Sequence, residues 1–106
     1  MKNQPKAKIL VVDDEKNIRS SLKMILEYEG YQFLEASSGE EALTTMDEII
    51  DLDLILLDIK LPGKDGLEVL SEVKKRPYSP EVIMISGQWT TQAAVEATKL
   101  AAFEFL

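Results

Sequence analysis

Short apolar runs alternate with segments of helical periodicity along most of the chain. Ile9-Leu10-Val11-Val12 and Leu54-Ile55-Leu56-Leu57 are unbroken runs of four aliphatic residues. Runs this short, each followed by a helix-like segment, read as strands buried on both faces of a parallel sheet. Residues 31–36 alternate in polarity and read as a strand near an edge. Residues 81–85 form a fourth apolar run, and Phe103-Glu104-Phe105-Leu106 alternates as a fifth strand would. Between these runs the period changes. Ile18, Leu22, Ile25 and Leu26 recur at helical spacing and predict one stripe facing a core. Ala42, Leu43, Met46, Ile49 and Ile50 make a second stripe, and Leu67, Leu70 and Val73 a third. The Ala-rich stretch 91–101 is helical with a weak stripe, so a loosely anchored fourth helix is expected.

Local punctuation agrees with these periods. Asp14 is placed to cap the first helix, and Glu15 suits its positive end. Gly30 stops that helix as a C′ residue would. Ser38-Gly39-Glu40-Glu41 has the form of a capping box, and Asp65 with Glu68 repeats it before the third helix. Residues 61–66 are rich in turn formers, and the stretch 76–80 carries two prolines.

Five strands alternating with four helices imply an α/β domain. Right-handed crossovers place helices on both faces of a parallel sheet. In the doubly wound order 2-1-3-4-5, two helices cover one face and three the other. The fifth helix is lacking, so the first would stand alone on its face. A chain extended by such a helix is expected to be more stable. Residues 1–8 show no periodicity and read as a loose leader, which makes 9–106 the domain.

Composition narrows the chemistry. The 106 residues contain no Cys and no His. Disulfides, thiol chemistry and imidazole ligation are therefore excluded, and any metal must be held by oxygen. The 19 acidic residues against 12 basic ones give a net charge of −7. Such a domain is a poor match for the phosphates of nucleic acid, so direct DNA or RNA binding is not expected. No apolar run approaches a membrane span or a signal-peptide core, so a cytoplasmic protein is expected.

The two most apolar runs share an ending: the first leads into Asp13-Asp14-Glu15 and the second into Asp58. A lone Asp at a strand end is an ordinary capping acid. Two neighbouring strands ending in acid bring Asp13, Asp14 and Asp58 together at the carboxyl edge, where open α/β sheets bind ligands. Three crowded carboxylates repel unless a cation joins them. Mg2+ suits the place, because it accepts one or two carboxylates and a phosphate oxygen while keeping several waters. Asp58 is single and backed by a central strand, and a carboxylate so placed can take a phosphoryl group as an acyl phosphate. Ser86 ends the next strand within reach of the same spot, and Gly87 leaves room for backbone there. Phe105 lies on the last strand, where plain core is the usual role.

Val11-Val12-Asp13-Asp14-Glu15, Leu57-Asp58-Ile59-Lys60-Leu61-Pro62-Gly63, Asp65-Gly66-Leu67-Glu68 and Ile83-Met84-Ile85-Ser86-Gly87 together resemble the receiver domain of two-component response regulators. The wording around Asp58 and Ser86-Gly87-Gln88 is most similar to receivers of the nitrogen-regulatory, σ54-activator group. The resemblance implies a flavodoxin-like fold. It implies Asp58 as phosphoacceptor for a histidine kinase, and Asp14, Asp58 and the backbone carbonyl of Lys60 as Mg2+ ligands, with Asp13 acting through water. It implies Ser86 and Phe105 as the switch pair. The face of the fourth helix and fifth strand would be read by an effector domain or a second receiver, with transcription as the output. The family's Lys of a Lys-Pro pair beyond the fifth strand is absent from these residues, so poor phosphorylation or a failure to switch is expected.

Such a domain is an acceptor and not a turnover enzyme. The alternative reading is a pseudo-receiver, an interaction module that works without phosphorylation. A phosphatase with an Asp nucleophile would need a second acid two residues on, where Lys60 stands.

Overall fold

The computed structural model describes residues 7–49, 51–85 and 104–105. In chain order the elements are β1 (Lys8–Val12), α1 (Lys16–Tyr28), β2 (Gln32–Ala36), α2 (Gly39–Glu48), β3 (Leu54–Asp58), α3 (Gly66–Lys74), β4 (Glu81–Ile85) and β5 (Glu104–Phe105). The strands are all parallel, and the four full ones stand in the order β2-β1-β3-β4. Two residues of β5 pair with Ile83 and Met84 on the outer side of β4. The α/β doubly wound reading therefore holds across the described residues. Ile50, Ser86, Gly87 and the expected fourth helix at 91–101 lie outside them, as do the rest of the expected fifth strand and the leader through residue 6.

The sheet is central because its middle strands cannot face water. Ile9 to Val12 are all buried, as are Ile55, Leu56 and Leu57. Side chains alternate between the two faces. Leu10, Val12, Ile55, Leu57, Val82 and Met84 join Ala42 and Met46 of α2 and Val69, Leu70 and Val73 of α3. Ile9, Val11 and Leu56 face the other way, against Leu22 and Leu26 of α1.

The first helix departs from expectation. Leu22 and Leu26 pack as the spacing predicts, but Ile18 is 40% and Ile25 59% exposed. Nothing on α1 is fully buried. Periodicity finds the apolar stripe; how much of it is covered depends on what lies opposite. The N-cap is also different. Glu15, not Asp14, holds that position, and its side chain makes no capping bond. The Asp13 carboxylate instead accepts the Glu15 N–H at 2.8 Å.

Other boundaries follow the punctuation. Gly30 has φ +92° and ends α1 in a Schellman arrangement, with Gly30 N–H to Glu27 O at 3.0 Å and Tyr31 N–H to Leu26 O at 3.0 Å. Asp65 and Glu68 form a reciprocal capping box at 2.9 and 3.1 Å. Ser38 caps α2 through the Glu41 N–H at 3.1 Å. The Glu41 carboxylate, however, reaches past Ser38 to the N–H and hydroxyl of Ser37, at 2.7 and 2.9 Å. Those bonds hold the Glu41 carboxyl below its usual range.

Candidate metal centre

Strand register alone makes neighbours of the two acidic endings. Val12 stands beside Leu57 on adjacent parallel strands, so the next residues, Asp13 and Asp58, leave the sheet side by side. Each of Asp13, Asp14 and Asp58 offers a carboxylate oxygen, and these oxygens all lie within 4.8 Å of one another. Asp13 is buried at 6% exposure, Asp58 is half-buried and Asp14 is exposed.

The cluster is short of compensating charge among the described residues. Among the described residues no Lys or Arg forms an ion pair with any of the three acids. Asp58 Oδ1 accepts the Lys60 N–H at 3.2 Å, a long bond. Burial, above all, pushes the Asp58 carboxyl up to about 6; the N–H groups of Lys60 and Ile59 pull it down, while the charges of Asp13 and Asp14 push it further up. A divalent cation would reverse this balance. The side-chain donors of the cluster are carboxylate oxygens, a hard-cation pattern that fits Mg2+.

The backbone around Asp58 is closely packed. Gly66 opens α3 and donates its N–H to Ile59 O at 2.9 Å. A Cβ on Gly66 would sit 2.2 Å from the Asp58 carbonyl oxygen and 2.7 Å from Ile59 Cα. Only a glycine lets the capped first turn of α3 close onto the strand end.

The sequence-predicted site is thus partly assembled. Asp13, Asp14 and Asp58 come together. Lys60 follows Asp58 in the same turn, through its N–H. The side chains of Ser86 and Phe105 lie outside the described residues; of Phe105 the backbone pairing with Met84 is described. Sequence reasoning missed Arg19. Its Nη1 donates to the Asp13 carbonyl at 2.8 Å, and its Nε to Glu35 Oε1 at 2.7 Å. No local motif marks such bonds, because Arg19 and its two partners come from three separate segments.

Comparison with known proteins agrees with this site. Residues 9–106 match the family model for the response regulator receiver domain. The chain belongs to that family, whose defining chemistry is acceptance of a phosphoryl group at a cluster of acids. The transcriptional regulatory protein ResD of Bacillus subtilis is 42% identical over 97 residues, covering 92% of this chain and 38% of ResD. A putative NtrX-like response regulator of Rickettsia bellii is 38% identical over 100 residues, covering 92% of this chain and 21% of that protein. Among solved structures, the response regulator TrrA of Thermotoga maritima, in complex with Mg(2+)-BeF, has a TM-score of 0.84 at 39% identity, covering 94% of this chain and 84% of that one. The chain spans about two-fifths of the length of the first curated relatives it matches.

This is therefore a phosphoacceptor receiver domain with an Mg2+-type acid cluster, a domain that is modified and not one that turns substrate over. No helix among the described residues is long and apolar enough to cross a membrane.

Proposed function

We propose that Asp58 is the phosphoacceptor of a cytoplasmic two-component response regulator, charged by a histidine kinase. The observation that carries this reading is the meeting of three carboxylates within 4.8 Å, unpaired by any described cation. Asp14, Asp58 and the Lys60 carbonyl would hold Mg2+, with Asp13 supporting it through water. A bound Mg2+ would supply positive charge to the transferring phosphoryl oxygens.

An Asp58 oxygen attacks phosphorus in line with the P–N bond of a phosphohistidine. The P–O bond forms, the P–N bond breaks and the imidazole leaves. The first-strand corner keeps Asp13 and Asp14 beside the acceptor, and the close contact at Gly66 fixes the backbone from which Asp58 projects. The new charge on Asp58 draws in the Ser86 hydroxyl, and Phe105 turns to fill the space. The face of the expected fourth helix and fifth strand would then change for an effector domain or a second receiver. A transcription-activating output of the nitrogen-regulatory, NtrX-like group is supported by the wording around Asp58 and by the match to the Rickettsia bellii protein.

Incubation with acetyl phosphate and Mg2+ tests the reading by intact mass. The wild type should take up a single phosphoryl group, even if only in low yield, and Asp58→Asn none. Full labelling of Asp58→Asn would move the acceptor elsewhere. No labelling of the wild type, with Mg2+ bound, would favour the pseudo-receiver.

A further inference from the structure

We propose that Arg19 is a positioning residue for the acid cluster, holding the corner from which Asp13 and Asp14 project. This deepens the metal reading above and rests on it. Asp13 has three of its polar atoms committed. Its N–H donates to Ala36 O at 3.1 Å, its Oδ1 accepts the Glu15 N–H at 2.8 Å, and its carbonyl accepts Arg19 Nη1 at 2.8 Å. Arg19 is thus the only side chain among the described residues that fixes the Asp13 backbone.

The same guanidinium is anchored from outside. Nε donates to Glu35 Oε1 at 2.7 Å, and the Arg19 side chain is only 15% exposed. Glu35 belongs to β2, the far edge of the sheet, so one planar fork ties α1, the β1–α1 corner and β2 together. The tie stands where apolar packing is thin. The α1 residues packed on the sheet are Leu22, at the midpoint of the helix, and Leu26, in its last turn, whereas Ile18 in the first turn is 40% exposed. At the end of α1 that adjoins the acids, the polar fork substitutes for a hydrophobic anchor.

Charge logic favours this arrangement over a direct ion pair. An Arg bonded to a site carboxylate would compete with the metal. Arg19 is neutralised by Glu35 and meets the site through a carbonyl, leaving the carboxylates to the cation. Lysine cannot reproduce it, because an ammonium lacks the planar fork that serves two acceptors at fixed angles.

Arg76 provides a matched control. It makes the same kind of fork, with Asp47 at 3.0 and 3.2 Å and the Glu72 carbonyl at 2.9 Å, but at the opposite end of the sheet. The test compares Arg19→Ala, Arg19→Lys and Arg76→Ala in the full chain. The readouts are Mg2+ affinity by calorimetry and amide hydrogen exchange without metal. Arg19→Ala should weaken Mg2+ binding by about tenfold or more, as loss of an outer-shell partner does. Arg19→Lys should fall between it and wild type, and Arg76→Ala should bind as wild type does.

Without metal, the amides of Asp13 and Glu15 should exchange faster in the Arg19 variants and not in Arg76→Ala. Unchanged affinity and exchange in the Arg19 variants would overturn the proposal, as would equal losses in Arg76→Ala. Should Arg19→Ala not fold, Arg19→Lys carries the comparison. If the wild type itself binds no Mg2+, the metal reading fails, and the exchange data still decide the role of Arg19.

Discussion

The two ends of the sheet carry the same residue type in opposite condition. At the amino end, Asp51 meets Lys8 Nζ at 2.8 Å, Asp53 accepts the Lys8 N–H at 2.8 Å, and Asp47 meets Arg76 at 3.0 Å. The hydrogen bonds from Lys8 and Arg76 hold the Asp51 and Asp47 carboxyls below their usual range. At the carboxyl end, Asp13, Asp14 and Asp58 crowd together with no described cation among them, and the Asp58 carboxyl is pushed up to about 6. Acids that serve only the fold find partners within it. Acids left crowded, and half-buried on a central strand, are held ready for something outside the chain.

That contrast can be broken by mutation, and the largest effect should come at Asp58. Asp58→Asn should abolish phosphoryl labelling, which intact mass reads directly. The same substitution removes a crowded charge, so the metal-free protein should melt higher at pH 7, whereas Asp51→Asn should not raise the melting temperature.

Metal should act at one end only. A ligand that binds the folded state alone stabilises it by about 2.7 kcal/mol at a hundredfold excess over its dissociation constant. Mg2+ should therefore raise the melting temperature of the wild type and of Arg76→Ala. It should leave Asp58→Ala unmoved.

Acidity should separate the ends by sign. Asp58 titrates near 6 in the fold against an ordinary 3.8. The folded state therefore binds the extra proton between these values. The contribution of Asp58 to stability is most favourable below 3.8 and is lost as pH rises through about 6. Asp47 and Asp51, with lowered values, contribute the other way: their stabilisation is present above 3.8 and is lost as pH falls below it. Mg2+ must displace the Asp58 proton, so its affinity should weaken as pH drops below about 6. Calorimetric titrations on either side of that value check this. The smallest effect should come from Lys8→Ala, whose ion pair is solvent-exposed; its melting temperature should drop slightly and its Mg2+ affinity should stay the same.

Much of this was legible in the sequence because it is local or periodic. The apolar runs at 9–12, 54–57 and 81–85 are strands, the Asp65–Glu68 box caps α3, and Gly30 closes α1. The meeting of Asp13, Asp14 and Asp58 followed from two strand endings of one kind. What escaped depends on partners distant in the chain. The exposure of Ile18 and Ile25 is set by what faces α1, which helical spacing does not encode. The reach of Glu41 to Ser37 differs from the expected box by one residue, a choice made by backbone geometry. Arg19 and Gly66 gain meaning only once β1, β2, β3 and α3 are brought together.

An anomalous-scattering map from crystals grown with Mn2+, a stand-in for Mg2+, bears most directly on the shared-cation claim. A single peak at the carboxyl edge, in contact with oxygens of Asp14 and Asp58 and with Asp13 beside it, is the expected result. An empty map at that edge, or a peak that Asp58 does not touch, would contradict it.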